Sequence, residues 1–240
     1  MTAKVFIVSA HPEPQSFSAA MARTAADVFR AQGAQVRQSD LYAMGFNPVA
    51  GATDFGSRRD SAYLNYPLEQ RFNAGQATLA PDIVTELDGL RWCDLLILNF
   101  PIWWCSVPAI LKGWIDRVLV SGECYGGTRF YDRGGLVGKR AMLAFSIGAQ
   151  PHMFAADGVH GDLEAMLRPL QRGTLAYVGF TVLPPFAAWH IPYITPAARE
   201  EMMVRYRDHL LGLDTLTPLA MPSLTAFDSR LHPLAAGKDA

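Results

Sequence analysis

Apolar residues recur along the chain in two alternating periods. Lys4–Ser9 is a nearly continuous apolar run that predicts a buried strand, and Ser16–Gln32 carries Phe17, Met21, Ala25, Val28 and Phe29 at helical spacing. Gln35–Ser39 fits a second strand. Asp82–Arg91 predicts a helix, and Asp94–Phe100, apolar on both faces, predicts the central strand of a parallel sheet. A helix follows over Val107–Val120, with Pro108 suited to its first turn. Arg140–Ser146 predicts a fourth strand, Gly161–Val178 a helix kinked by Pro169, and Phe180–Leu183 a fifth strand. Pro196–Leu211 closes the pattern as an amphipathic helix. Such alternation predicts an α/β fold: an open, doubly wound, five-stranded parallel sheet between two helical layers.

Two segments break the rhythm. Tyr42–Ala80 has no clear period and is punctuated by Gly45, Pro48, Gly51, Gly56 and Pro67 among its Gly and Pro residues. Connections of that length inside a compact domain are usually functional. The stretch from Leu213, punctuated by Pro218, Pro222 and Pro233, still carries Leu224, Phe227 and Leu231. We therefore expect a domain over residues 1–212 and an extension over 213–240 that packs on the body or on a partner subunit.

Composition narrows the classes of function. With 21 Lys+Arg against 22 Asp+Glu and a formal charge of −1, the chain lacks the basic footprint of a nucleic-acid binder. A hydrophobic share of 50% against 18% charged supplies a large core. Cys93, Cys105 and Cys124 form neither a CxxC nor an even set, which fits a reducing compartment. The start, Met1 to Val8, is too short and weakly charged for a signal peptide. The apolar stretch Leu95–Cys105 is broken by Asn99 and Pro101, so no membrane insertion is expected and the location expected is cytoplasmic. No HExxH or paired Cys/His spacing points to a metal.

In open α/β sheets the ligand lies beyond the carboxyl ends of the strands, where the strand order reverses. That rule nominates the loops His11–Ser18, Pro101–Ser106 and Gly148–His160. The first lacks both GxGxxG and GxxxxGK[ST], but it sets Gln15, Ser16 and Ser18 at a helix start, where free N–H groups and hydroxyls can hold a pyrophosphate. Ser16 can equally be a plain N-cap. The second loop puts Trp103 beside Trp104, either as core or as the wall of a cleft for a planar heterocycle. The third supplies His152 and His160, each a candidate acid or a structural hydrogen-bonder.

At these loops the chain resembles the NAD(P)H:quinone oxidoreductases of the flavodoxin-like fold, the DT-diaphorase group, from about Lys4 to Arg199. The blocks that carry the resemblance are Ala10-His11 with Ser16-Phe17, Ser39–Met44 with Phe46-Asn47-Pro48, and Leu79–Val84. They continue through Phe100-Pro101, Trp104, Val107–Trp114, Gly158–Asp162, Pro169-Leu170-Gln171, Gly179-Phe180 and Thr195-Pro196-Ala197. The resemblance implies FAD as cofactor and NADH or NADPH as co-substrate. His11, Ser16, Phe17, Ser18 and Ala20 look like pyrophosphate and adenosine contacts, with Asn65 reaching the adenosine from a partner subunit. Pro101, Ile102 and Trp104 look like the isoalloxazine wall, where Cys105 replaces a Phe, and Arg199 matches a basic residue near the phosphates. Tyr125 matches a tyrosine that closes the active site of the other subunit, and Phe130 and Tyr177 join it as substrate contacts.

The departures gather in the third loop. The family's Thr-Thr-Gly-Gly stretch, whose backbone meets the flavin edge, is shortened and reads Gly148-Ala149-Gln150-Pro151. Phe154 stands where the family places the tyrosine that partners its catalytic histidine, and the histidine itself is His160. The activity implied is two-electron reduction of quinones by NADH or NADPH, with hydride passing through flavin N5 in ping-pong fashion and His160 stabilising the developing charge. A homodimer with shared sites is implied as well. The alternatives are a flavin-binding ancillary subunit of low turnover, like those regulating bacterial potassium efflux, and a reductase of azo or nitro acceptors.

Overall fold

Alternate residues of three strands face opposite helical layers, in a computed structural model that describes residues 3–234. The strands are β1 (Lys4–Ser9), β3 (Leu95–Pro101) and β4 (Arg140–Ile147). Phe6, Val8, Leu96, Leu98, Leu143 and Phe145 pack under α3 (Pro81–Trp92), α4 (Ala109–Val118) and α5 (Leu163–Leu170). Val5, Ile7, Leu95, Ile97 and Met142 pack under α1 (Phe17–Ala31) and α6 (Pro196–Leu211). Burial on both faces is why these strands read as unbroken apolar runs.

With β2 (Gln35–Asp40) and β5 (Thr181–Val182) the strand order is β2-β1-β3-β4-β5, and every pairing is parallel. The order reverses between β1 and β3. The register sets Ser9 beside Asn99, and Pro101 beside Ser146, so the loops after β1, β3 and β4 leave the sheet side by side.

The fifth position is split, not single. β5 pairs with Arg140 and Ala141, and β6 (Phe186–Trp189) pairs with Ala144–Ile147, giving six strands. Pro184 and Pro185 fall between the two pieces, where the missing N–H groups interrupt the ladder. The helix expected over 161–178 starts at Leu163. After Pro169 it widens into a π-helical segment, Gln171–Ala176, instead of simply bending.

Tyr42–Ala80 is not structureless. It contains α2 (Tyr66–Gln76), whose inward face is polar: Glu69, Gln70 and Asn73 are all buried. Glu69 accepts the backbone N–H groups of Arg59 and Asp60, and Gln70 accepts the Ser121 N–H. The connection is locked to the body by Arg117. Its Nη2 lies 2.7 Å from Asp54 Oδ1, and its Nη1 lies 2.6 Å from Asp82 Oδ2 and donates to Asn47 O. Burial pushes the Asp54 carboxyl up, but bonds from Arg117, Tyr66 and the Gly51 amide outweigh it and hold the pKa below the usual carboxylate range.

Beyond α6, the Leu219 N–H bonds Val182 O on the outer strand, Asp132 accepts from Ser223 and Leu224, and Leu224 is buried. The last residues of the expected extension, 235–240, and Met1–Thr2 lie outside the described residues.

Candidate active site

A cleft of about 410 Å³ opens at the carboxyl ends of β1, β3 and β4. Of the expected cofactor contacts, His11, Ser16, Phe17, Ser18, Pro101, Ile102 and Gly148 line it together. Trp103, Ser146, Ile147, Ile191 and Pro192 join them. Ser146 and Ile147 simply end a strand, a position the fold rule could have nominated. Ile191 and Pro192 carry no such signal, because they follow the strand the sequence reading missed.

The phosphate-type corner is built at the start of α1. The Ser16 hydroxyl caps the helix by accepting the Ala19 N–H at 3.1 Å, so the N-cap reading holds. Among the described residues no acceptor meets the N–H groups of Phe17 and Ser18, which remain open donors. The Glu13 N–H donates to His11 Nδ1 at 3.0 Å, so the proton of the neutral ring sits on Nε2 and can be donated to a ligand. Below, Ser18 and Ser146 share a 2.7 Å hydroxyl contact and Asn99 Nδ2 donates to Ser18 O, while the buried Asn99 Oδ1 has no partner.

The second loop is a tight reversal. Trp103 and Ser106 exchange two 3.0 Å backbone bonds, and the residues between, Trp104 and Cys105, have φ of 49° and 60°. Both central residues are left-handed, the geometry of a type I′ turn, which favours Asn-Gly and strains a tryptophan. Neither ring packs into the core, and it is Trp103 rather than Trp104 that reaches the cleft. Trp103 lines the cleft, its ring 6.0 Å from that of His11, while Trp104 is fully exposed at the tip with Cys105 beside it.

The third loop contributes backbone. Among the described residues no acceptor meets the N–H groups of Gly148, Ala149 or Gln150. Further along, the His160 ring lies 5.0 Å from Phe154, which in turn packs 5.8 Å from Trp189. His160 is exposed, and its N–H bonds Met153 O. Asp162 does not hold the ring; its side chain caps α5 through the Glu164 N–H.

Other expected residues stand apart from the cleft lining. Ala20 lies two residues past Ser18 in α1, and Asn65 is the exposed N-cap of α2 without a side-chain cap bond. Arg199 is exposed, with its guanidinium 3.4 Å from Pro192 O. Tyr125, Phe130 and Tyr177 form a separate aromatic cluster: Phe130 stacks on Tyr177 at 5.6 Å and Tyr125 lies 5.7 Å away. Burial pushes the thiols of Cys93 and Cys124 up to about 11 and 12, so neither is a nucleophile. Among the described residues no group of three His, Cys, Asp or Glu side chains could hold a metal, and no helix is long and apolar enough to cross a membrane.

Known proteins resemble this chain in sequence and fold. A family described as having the flavodoxin-like fold matches residues 3–210. Rat NAD(P)H dehydrogenase [quinone] 1 is 38% identical over 226 residues, covering 94% of this chain and 82% of its own. Human ribosyldihydronicotinamide dehydrogenase [quinone] is 41% identical over 208 residues, covering 86% and 90%. A solved Klebsiella pneumoniae structure whose description suggests a quinone reductase superposes with a TM-score of 0.87 at 33% identity, covering 96% of this chain and 90% of its own. The chain belongs to the flavodoxin-like family, alongside its quinone dehydrogenases.

Proposed function

We infer that this protein is a flavin-dependent oxidoreductase that reduces quinones with NADH or NADPH. The observation that carries the reading is the cleft itself. A capped helix start with open amides, the tryptophan turn through Trp103, and the start of the 148–150 loop through Gly148 meet in one cleft. Relatives named for quinone reduction support the same activity.

The donor set fits a flavin nucleotide. The His11 ring and the Phe17 and Ser18 amides suit a pyrophosphate, Pro101, Ile102 and Trp103 suit the flat face of the rings, and the amides of 148–150 suit their polar edge. A bound flavin supplies hydride acceptance and release. The chain itself orients the rings, keeps water from one face and presents fixed donors where negative charge develops. His160 is the proposed proton donor at the open end, with Tyr125, Phe130 and Tyr177 as acceptor contacts.

FAD is proposed over FMN because Asn65, Ala20 and Arg199 would otherwise have no ligand group to meet. Asn65 reaches a site across a homodimer. The exposed apolar residues just before it support such an interface, with Tyr63 69% and Leu64 39% exposed. Heat release and chromatography should recover FAD, light scattering should report a dimer, and the loaded protein should oxidise NADH or NADPH beyond one equivalent per flavin only when an acceptor such as a quinone is present. Stoichiometric FMN, or a fully active monomer, contradicts the corresponding part. Phe154, which sets an apolar ring where a hydroxyl would partner His160, favours the ancillary-subunit reading. Flavin binding with negligible turnover is the outcome that would establish it.

A further inference from the structure

We propose that His190 is a positioning residue of the cleft: it anchors two successive carbonyls of the 148–150 loop and thereby aims that loop's amides at the cofactor. The inference rests on the flavin reading above. His190 follows β6 and has φ 57° and ψ 27°, a left-handed conformation that a histidine adopts at some cost. From it, the His190 backbone N–H reaches Ala149 O at 3.1 Å, and Nδ1 lies 2.8 Å from Gly148 O. A carbonyl accepts and never donates, so Nδ1 carries the ring proton in this contact.

The consequence follows from peptide planarity. In a trans peptide the N–H points opposite to the C=O of the same plane, and the described chain holds no cis bond. Fixing Gly148 O therefore fixes the Ala149 N–H, and fixing Ala149 O fixes the Gln150 N–H. Both amides lack an acceptor among the described residues, and Gly148 is part of the cleft wall. Two open donors are thus set in direction by one residue that follows the strand beside β4, and both point away from it. Ile191 and Pro192, the next two residues, line the cleft as well. Tyr193 completes the unit, with its ring 4.9 Å from the His190 ring and its Cε2 at 3.9 Å from the place of a Gly148 Cβ. Donors held before the ligand arrives avoid the ordering cost of binding.

Two variants of nearly equal shape separate the donor from the fold. His190→Asn keeps an N–H donor near the place of Nδ1 and tolerates the left-handed backbone, whereas His190→Asp tolerates it equally but presents acceptors. FAD is titrated into cofactor-free protein, followed by flavin fluorescence and the visible bands of the bound flavin, and Tm is measured without cofactor. His190→Asn should bind FAD within about threefold of the parent. His190→Asp should bind about tenfold or more weakly, with shifted bands and little change in Tm. If His190→Asp fails to fold, His190→Gly, which relaxes the backbone and lacks the donor, should show the same loss. Parent-like binding and bands in the donor-free variant overturn the assignment, and so does equal weakening in the Asn variant. A parent that takes up no flavin defeats the cofactor reading and this inference together.

Discussion

Arg117 Nη2 and Asp54 Oδ1 meet at 2.7 Å, with side chains 3% and 1% exposed, and join the start of the long connection to α4. Removing the cation leaves a buried carboxylate without its partner. Arg117→Met should therefore destabilise by about 3–5 kcal/mol, read as a lower urea midpoint. The loss should fall on the segment carrying Asn47, Asp54 and Tyr66, so hydrogen exchange there should quicken first. A variant within about 0.5 kcal/mol of the parent would show that the pair adds nothing.

Glu86 predicts the opposite sign. It is buried between α3 and α4, where it accepts from Trp114 Nε1 at 2.7 Å and Ser39 Oγ at 2.8 Å. Burial raises its pKa above the ordinary value of 4.5, and the two hydrogen bonds only partly offset that rise. A raised carboxyl gives stability that is complete below the ordinary value and is lost as pH climbs through the raised one. Glu86→Gln should thus melt above the parent at pH 8, with the gap closing toward pH 4. A gap that widens on acidification would contradict the assignment.

The Trp104–Cys105 turn stores strain that an Asn-Gly pair would release. Replacing both residues by Asn-Gly should stabilise the protein by on the order of 1–2 kcal/mol while weakening flavin binding. Thermal melts and flavin titration on the same samples check the trade. A gain in stability with unchanged affinity would make the strained turn incidental.

His160 stands beside Phe154 without a hydroxyl partner. Losing a donor to a localised oxyanion costs on the order of 10²–10³ in rate, and charge on a flavin is spread more widely. His160→Ala should therefore slow flavin reduction by NADH or NADPH about tenfold, and Phe154→Tyr should leave it within about twofold. Unchanged reduction in His160→Ala at equal flavin occupancy would make the histidine structural.

Legibility in the sequence tracked how apolar each element's inner face is. β1 and α6 carry the boundaries read from the pattern alone, Lys4–Ser9 and Pro196–Leu211. α2 escaped because Glu69, Gln70 and Asn73 form its buried face, so no apolar period exists to detect. β6 escaped because it is four residues long and follows two prolines. The cleft was legible where loops follow strands: His11, Ser16–Ser18 and Pro101-Ile102 came from that rule. His190 did not, because its role depends on a left-handed backbone and a contact to residues 41 and 42 positions earlier, neither of which leaves a local pattern.

The central claim is that one cleft binds flavin and lets a nicotinamide and a quinone use it in turn. Sequential-mixing stopped flow on the purified, flavin-loaded protein tests this most directly. NADH or NADPH added without oxygen should bleach the visible flavin band, and a quinone added in the second mix should restore it within one turnover, with no bleaching when the nicotinamide is omitted and no recovery when the quinone is omitted. A flavin that stays bound and oxidised in the presence of both nicotinamides would contradict the account.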